Sequence, residues 1–247
     1  MKLITIYPSH YCLKARWALD YFNVEYEEES HPPVFHMFAT QKYGGRSTPI
    51  LKDGRSILKD STDILRYLDS KYSNEYSSLY PKNVEQEVLE LEDFFDEKLG
   101  PHTRRAAYSF LLEHKDLALE SLVKGSNFFE SSSFNTLFPV IKFMLEKNLN
   151  ISPKSLIRSL SYIDKIFEKT EEILGNKDFL TGNDFTAADL TLCSLSAPII
   201  FPEEYEVKGF DKFPDDFKEI VFKYRKTKLG EFILDTFKKF RFKNKEK

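Results

Sequence analysis

The sequence predicts two units of different class: an α/β unit over residues 1–80, built β-α-β then β-β-α, followed by an all-α unit over 84–247. Three observations carry this division. Short apolar or alternating runs bounded by turn residues occur only before residue 60. A connector rich in Ser, Tyr and Asn, "YSNEYSSLYPKN", then closes with Pro81. From Val84 onward the apolar spacing is helical throughout.

Residues 3–7 form a strand, with Leu3, Ile4 and Ile6 apolar before Pro8 stops the run. Leu13, Ala15, Ala18, Leu19 and Phe22 follow at mixed three- and four-residue spacings, which is one face of an amphipathic helix. "VEYEEE" alternates weakly as a second strand, and "HPPVFHMFATQKYGG" is an irregular or short helical connection. "TPILKDGRSILKD" is a hairpin, because Asp53-Gly54 between apolar runs is a strong short-range turn signal. In "STDILRYLDSKY" Ser61 is the expected N-cap, and Ile64, Leu65, Leu68 and Tyr72 share a face.

In the second unit, glycines mark the expected helix stops: "VEQEVLELEDFFDEKLG" ends at Gly100 and "SLIRSLSYIDKIFEKTEEILG" at Gly175. "FTAADL" carries Thr186 and Asp189 at capping-box spacing, with Phe185 and Leu190 at the staple positions. The helix it opens, "AADLTLCSLSAPII", is apolar nearly all round, so it belongs in the centre of the core with Cys193 as a small packed residue. "ESSS" at 130–133 is the one low-complexity stretch, and the final "KKFRFKNKEK" is read as a solvated basic end.

Composition excludes several classes. A net charge of −3 with interspersed signs leaves no electrostatic footprint for nucleic acid. No apolar run approaches the ~20 residues of a bilayer span, so a soluble, cytoplasmic protein with no membrane partner is expected. The only cysteines, Cys12 and Cys193, are far apart, which fits a reducing compartment. Neither has a second sulfur or histidine at ligand spacing, so no metal is expected.

Three local matches, "SHYCLKARWAL", "GRSTPIL" and "KDSTDILRYL", occur in order ahead of "GNDFTAADL". In that arrangement the chain resembles the cytosolic glutathione S-transferases, and bacterial members in particular. The resemblance implies a thioredoxin-like N-terminal domain that binds glutathione, an all-helical C-terminal domain that closes over a small electrophile, and a homodimer. It assigns Ser9 to the glutathione sulfur, as in theta- and delta-like transferases, Thr48 and Pro49 to the cysteinyl backbone, Asp60 and Ser61 to the γ-glutamyl end, and Arg46 to the glycyl carboxylate. Lys42 and His36 compete with Arg46, and Tyr7 and Tyr11 with Ser9.

The residues themselves fit these roles. Pro49 cannot donate a ladder bond, so a cis turn there leaves the backbone of Thr48 free to pair with an extended peptide at a sheet edge. The start of a helix at Asp60-Ser61 offers free N–H groups to a carboxylate, and a nearby acid holds an ammonium. A hydroxyl donated to a thiol of pKa about 8.5 favours the thiolate, each unit of depression being worth ~1.4 kcal/mol. Cys12 stands at the second position of a Cys-x-x-Cys pattern whose first position is Ser9, so it is read as a packing residue. Of Arg104, Arg105 and Tyr108, at helical spacing, one arginine is available to an anionic group. The expected reaction is attack of glutathione thiolate on an electrophile or a peroxide. Its rivals are a non-catalytic binding or scaffolding protein and thiol exchange through Cys12.

Overall fold

The computed structural model describes residues 1–74, 77–205, 207 and 209–242. Half of the basic C-terminal end therefore lies outside the described residues, since 243–247 are not among them.

Four strands, β1 (Lys2–Thr5), β2 (Glu27–Ser30), β3 (Ile50–Asp53) and β4 (Ser56–Leu58), form one sheet in the order β2-β1-β3-β4. β1 and β2 are parallel and joined by helix α1 (His10–Tyr21), whereas β3 runs antiparallel to both β1 and β4. The short helix α2 (His36–Gln41) precedes β3, and α3 (Ser61–Tyr72) follows β4. This is the thioredoxin-like order expected from sequence.

Strand alternation distributes the apolar residues between two faces. Leu3 pairs with Leu51 and both join the main core beneath α1 and α3. Ile4 pairs with Ile50 and packs on the other side against Ala39 of α2. A one-residue slip of register would exchange the two sets, which is why burial holds it.

Local details differ from the sequence expectation. β1 stops at Thr5. The hairpin loop is Gly54-Arg55, set one residue later than Asp53-Gly54, and Asp53 pairs with Ser56 across it. Gly54 has φ +57°, a conformation glycine adopts without a Cβ penalty. Pro49 precedes an inner strand, since β3 lies between β1 and β4, so the expected sheet edge at Thr48 is instead the end of a central strand. The cap of α3 is Asp60, whose carboxylate accepts from the Thr62 N–H at 2.8 Å, which leaves Ser61 as the first helical residue.

Beyond the sheet the described chain is helical: α4 (Glu85–Phe94), α5 (Gly100–Leu111), α6 (Lys115–Leu122), α7 (Phe128–Asn148), α8 (Pro153–Leu174), α9 (Ala187–Ile200), α10 (Asp215–Arg225) and α11 (Lys228–Phe240), with a short 3₁₀ turn at Glu203–Tyr205. The serine-rich stretch lies inside α7. Every residue of α9 is buried, Cys193 included, and it packs against α1, α4, α5, α10 and α11. The capping box at its start is present. The Asp189 carboxylate accepts from the N–H and hydroxyl of Thr186, both at 3.0 Å, and also from the Leu180 N–H at 2.9 Å.

The helix expected to end at Gly100 does not end there. α4 passes through one wide π turn, Phe95–Leu99, straight into α5. Pro101 has no N–H to donate, and its ring excludes the carbonyl one turn back, which accounts for the wide turn. Gly100 itself is in ordinary helical conformation, φ −54°. A Cβ there would lie 2.3 Å from the Tyr11 hydroxyl, so the glycine supplies room for α1.

α11 closes the core against α1. The Trp17 indole donates to the Phe240 carbonyl at 3.2 Å, the Trp17 and Phe237 ring centroids are 4.6 Å apart, and Arg241 pairs with Asp20 in a buried ion pair. No helix of the described residues is long and apolar enough to cross a membrane.

Candidate active site

The turn after β1 delivers Ser9 to the N-terminus of α1. Its Oγ accepts from the Cys12 N–H at 3.4 Å, which caps the helix. One lone pair of the oxygen is engaged there, and the hydroxyl also carries a single donor proton that lies within reach of the Cys12 thiol. The residue before it is fixed from the helical unit, because Tyr205 donates its hydroxyl to the Pro8 carbonyl at 2.5 Å.

The next two side chains, His10 and Tyr11, reach the wide turn between α4 and α5. His10 Nε2 donates to the Gly100 carbonyl at 2.9 Å, and the Tyr11 hydroxyl donates to the Asp96 carbonyl at 2.8 Å. Burial, with the nearby charge of Arg104, holds the His10 imidazole down to about 3, so it is neutral. Burial also pushes the Tyr11 phenol up, so its proton stays on oxygen and in that hydrogen bond.

Ser9, Tyr11, His36 and Thr48 border one cavity of about 220 Å³ between the sheet unit and the helices. Thr48 leads into a cis peptide at Pro49, and the β3 ladder begins one residue later at Ile50. Burial lowers His36 below the usual imidazole range. From the helical unit, Arg104 and Tyr108 of α5 line the same cavity, with Ser121 of α6 and Tyr205. Arg105 takes another direction: its Nε donates to the Leu149 carbonyl at 2.7 Å and its Nη1 to Ser159 Oγ at 3.0 Å.

Cys12 is fully buried. Burial pushes its thiol up, and the Arg16 charge and the Thr48 and Ser9 side chains offset this only in part. The remaining sequence candidates are spread more widely. Arg46 is exposed on the loop before Thr48, and Lys42 is exposed at the end of α2. Asp60 is exposed at its cap position, and Ser61 is buried with 3% exposure. None of these four borders the cavity, nor does Tyr7, whose ring lies under Arg16 and Lys124.

Sequence reasoning missed a buried polar cluster that anchors the start of α3. Lys14 Nζ lies 2.8 Å from Glu92 and 2.6 Å from Asp96, and it donates to Thr62 Oγ1 at 3.0 Å. Tyr80 donates to the other oxygen of Glu92 at 2.8 Å. Burial alone would lower the Lys14 ammonium, but the two carboxylates hold it above its ordinary value. Burial raises Asp96, with Lys14 acting against it. The signal in the sequence was a single lysine amid the apolar positions of α1, facing acids four residues apart on a later helix. Spacing alone does not bring those segments together.

Comparison with known proteins agrees with this architecture. The family model described as "Glutathione S-transferase, N-terminal domain" matches residues 3–76. A search of curated proteins by sequence found no match. Among solved structures, the chain is similar to the beta-etherase LigF from Sphingobium sp. strain SYK-6, with a TM-score of 0.60 at 16% identity, covering 95% of this chain and 98% of that one. It is similar also to the theta class glutathione S-transferase of Xanthomonas axonopodis pv. citri with glutathione bound, with a TM-score of 0.58 at 15% identity, covering 93% and 94%. A third likeness is to maleyl pyruvate isomerase, a bacterial glutathione S-transferase in the zeta class, with a TM-score of 0.53 at 17% identity, covering 96% and 97%. At such identities the structural likeness is one of fold. Residues 3–76 therefore match the glutathione S-transferase N-terminal domain, and the chain as a whole has the fold of the glutathione S-transferases it resembles.

Proposed function

We propose that this protein activates glutathione at Ser9 for attack on an electrophilic or peroxide substrate. The observation that carries the reading is the meeting of Ser9 and Thr48 on the wall of one cavity, with the free thiol Cys12 buried outside the lining. The Ser9 oxygen accepts the Cys12 N–H, and its one hydroxyl proton is the donor offered to the glutathione sulfur in place of the Cys12 thiol. Donation to the sulfur favours thiolate over thiol, and the α1 N-terminus adds to that preference. Ser9 is thus a stabiliser, and glutathione brings the nucleophile.

Thr48 supplies backbone to the cysteinyl part of the peptide, with Pro49 shaping its turn, and Asp60 and Ser61 hold the γ-glutamyl end at the start of α3. Thr62, next in the chain, is tied to Lys14, Glu92 and Asp96, which gives that helix end a rigid base. Arg46 supplies the cation for the glycyl carboxylate. His36 borders the same cavity as Ser9 but is held neutral by burial, so it contributes a hydrogen bond and no charge.

The test compares Ser9→Ala with Cys12→Ser. Thiolate absorbance of bound glutathione, followed against pH, moves to higher pH in Ser9→Ala and stays in place in Cys12→Ser, with turnover of a model electrophile falling only in the first. The opposite pattern would establish thiol exchange through Cys12. Glutathione binding without turnover of any electrophile or peroxide would make the protein a binding module.

A further inference from the structure

The cavity beside Ser9 has an asymmetric wall. Most of the surface supplied by the helical unit is apolar, including Leu111, Leu145, Phe201 and Phe213. Arg104 stands among them. Its Nε is shut off from solvent and finds no hydrogen-bond acceptor, and among the described residues its guanidinium makes no ion pair. No carboxylate of the described residues lines the cavity.

Arg104 is half-buried, and a cation whose buried Nε faces apolar side chains without a counter-ion gains most from a ligand that brings both an acceptor and a negative charge. Arginine does not escape by deprotonating. The cation has partial compensation from the Tyr11 ring, whose centroid lies 5.9 Å from the guanidinium carbon. That contact leaves the buried Nε without an acceptor. A second polar group of the same wall is also orphaned: Ser121 is 5% exposed, and its Oγ has no partner. Arg105, the neighbouring arginine, has its donors engaged elsewhere and shows what a structural arginine looks like in this helix.

We propose that the cavity takes an organic anion, a carboxylate on a flat apolar body, with the carboxylate on Arg104 and the body against the Leu and Phe side chains. Under the glutathione reading above, on which the word substrate rests, the second substrate is then an electrophile carrying a carboxylate. The binding claim itself stands without glutathione.

Calorimetry with 2-naphthoate and its neutral isostere 2-naphthamide, in the absence of glutathione, tests it. The wild-type protein is expected to bind the carboxylate ~10-fold or more tightly than the amide, as a charge-assisted hydrogen bond provides. Arg104→Met abolishes the preference while still binding the amide, Arg104→Lys keeps part of it, and Arg158→Met, a change of equal charge on α8, keeps all of it. Thermal melting of each variant confirms that it is folded. Equal affinities in the wild type, no binding of either probe, or a preference that survives Arg104→Met would each overturn the proposal. Glutathione titrated into the same samples separates the two readings: a preference for naphthoate without glutathione binding defeats the proposed function and leaves the anion site standing.

Discussion

The Tyr205 hydroxyl donates to the Pro8 carbonyl at 2.5 Å, joining a 3₁₀ turn of the helical unit to the residue that precedes Ser9, 197 positions away. Both partners are buried, so neither finds water when the bond is broken. Tyr205→Phe is therefore expected to cost about 1–3 kcal/mol, the penalty of a stranded buried acceptor. Urea denaturation measures this. Because the bond fixes the turn that presents Ser9, the same variant should move the thiolate titration of bound glutathione to higher pH, and an unchanged titration would mean that the turn is held without it.

Gly100→Ala should destabilise the protein although alanine is the better helix former. The new Cβ meets the Tyr11 hydroxyl at 2.3 Å and its ring carbon at 2.8 Å. Overpacking of this kind costs typically ~1–3 kcal/mol. Combining it with Tyr11→Leu removes the clash, so the double variant should lose less than the sum of the two single ones. Additive losses in a denaturant cycle would assign Gly100 some other role.

Lys14→Met should be among the most damaging single changes. It leaves Glu92 and Asp96 facing each other at a buried site with no cation between them. Removing one partner of such a group costs ~3–5 kcal/mol. Lys14→Met with Glu92→Leu restores the balance of charge, and its thermal midpoint should lie above that of Lys14→Met alone.

Asp189 produces a dependence of stability on pH with a definite sign. Burial raises its carboxyl from 3.8 to about 6, with the Leu180 and Thr186 hydrogen bonds acting in the other direction. Between those two values the folded protein holds a proton that the unfolded chain has released. The contribution of this group to stability is therefore full below about pH 4 and lost as pH rises through about 6. Two units correspond to about 3 kcal/mol. Measured by denaturant midpoints, wild type should gain on Asp189→Asn as pH falls from about 7 to about 4, and a difference independent of pH would refute the assignment. At neutral pH Asp189→Ala also loses the cap, a change of ~0.5–2 kcal/mol, with glutathione affinity of the folded protein unchanged.

What was legible in the sequence is local. The hairpin around Asp53-Gly54, the capping box from Thr186 to Asp189 and the proline after Thr48 each involve groups a few residues apart, so backbone sterics and short-range hydrogen bonds decide them wherever the chain goes. The same reasoning set the order of strands and helices and the buried character of α9. It misread Gly100, because a glycine placed for close approach leaves the same letter as a glycine placed to end a helix. It also put the cap of α3 on Ser61 beside Asp60, two residues with nearly equal preference for that position. Only the tertiary structure brought Lys14 to Glu92, Tyr11 to the Asp96 carbonyl and Tyr205 to Pro8, and only it turned Arg104 toward the cavity while Arg105 was tied to Leu149 and Ser159. Those partners lie tens to hundreds of residues apart. Burial of the apolar faces first fixes the path of the chain, and the polar groups then pair with whatever that path sets beside them, so no spacing in the sequence encodes them.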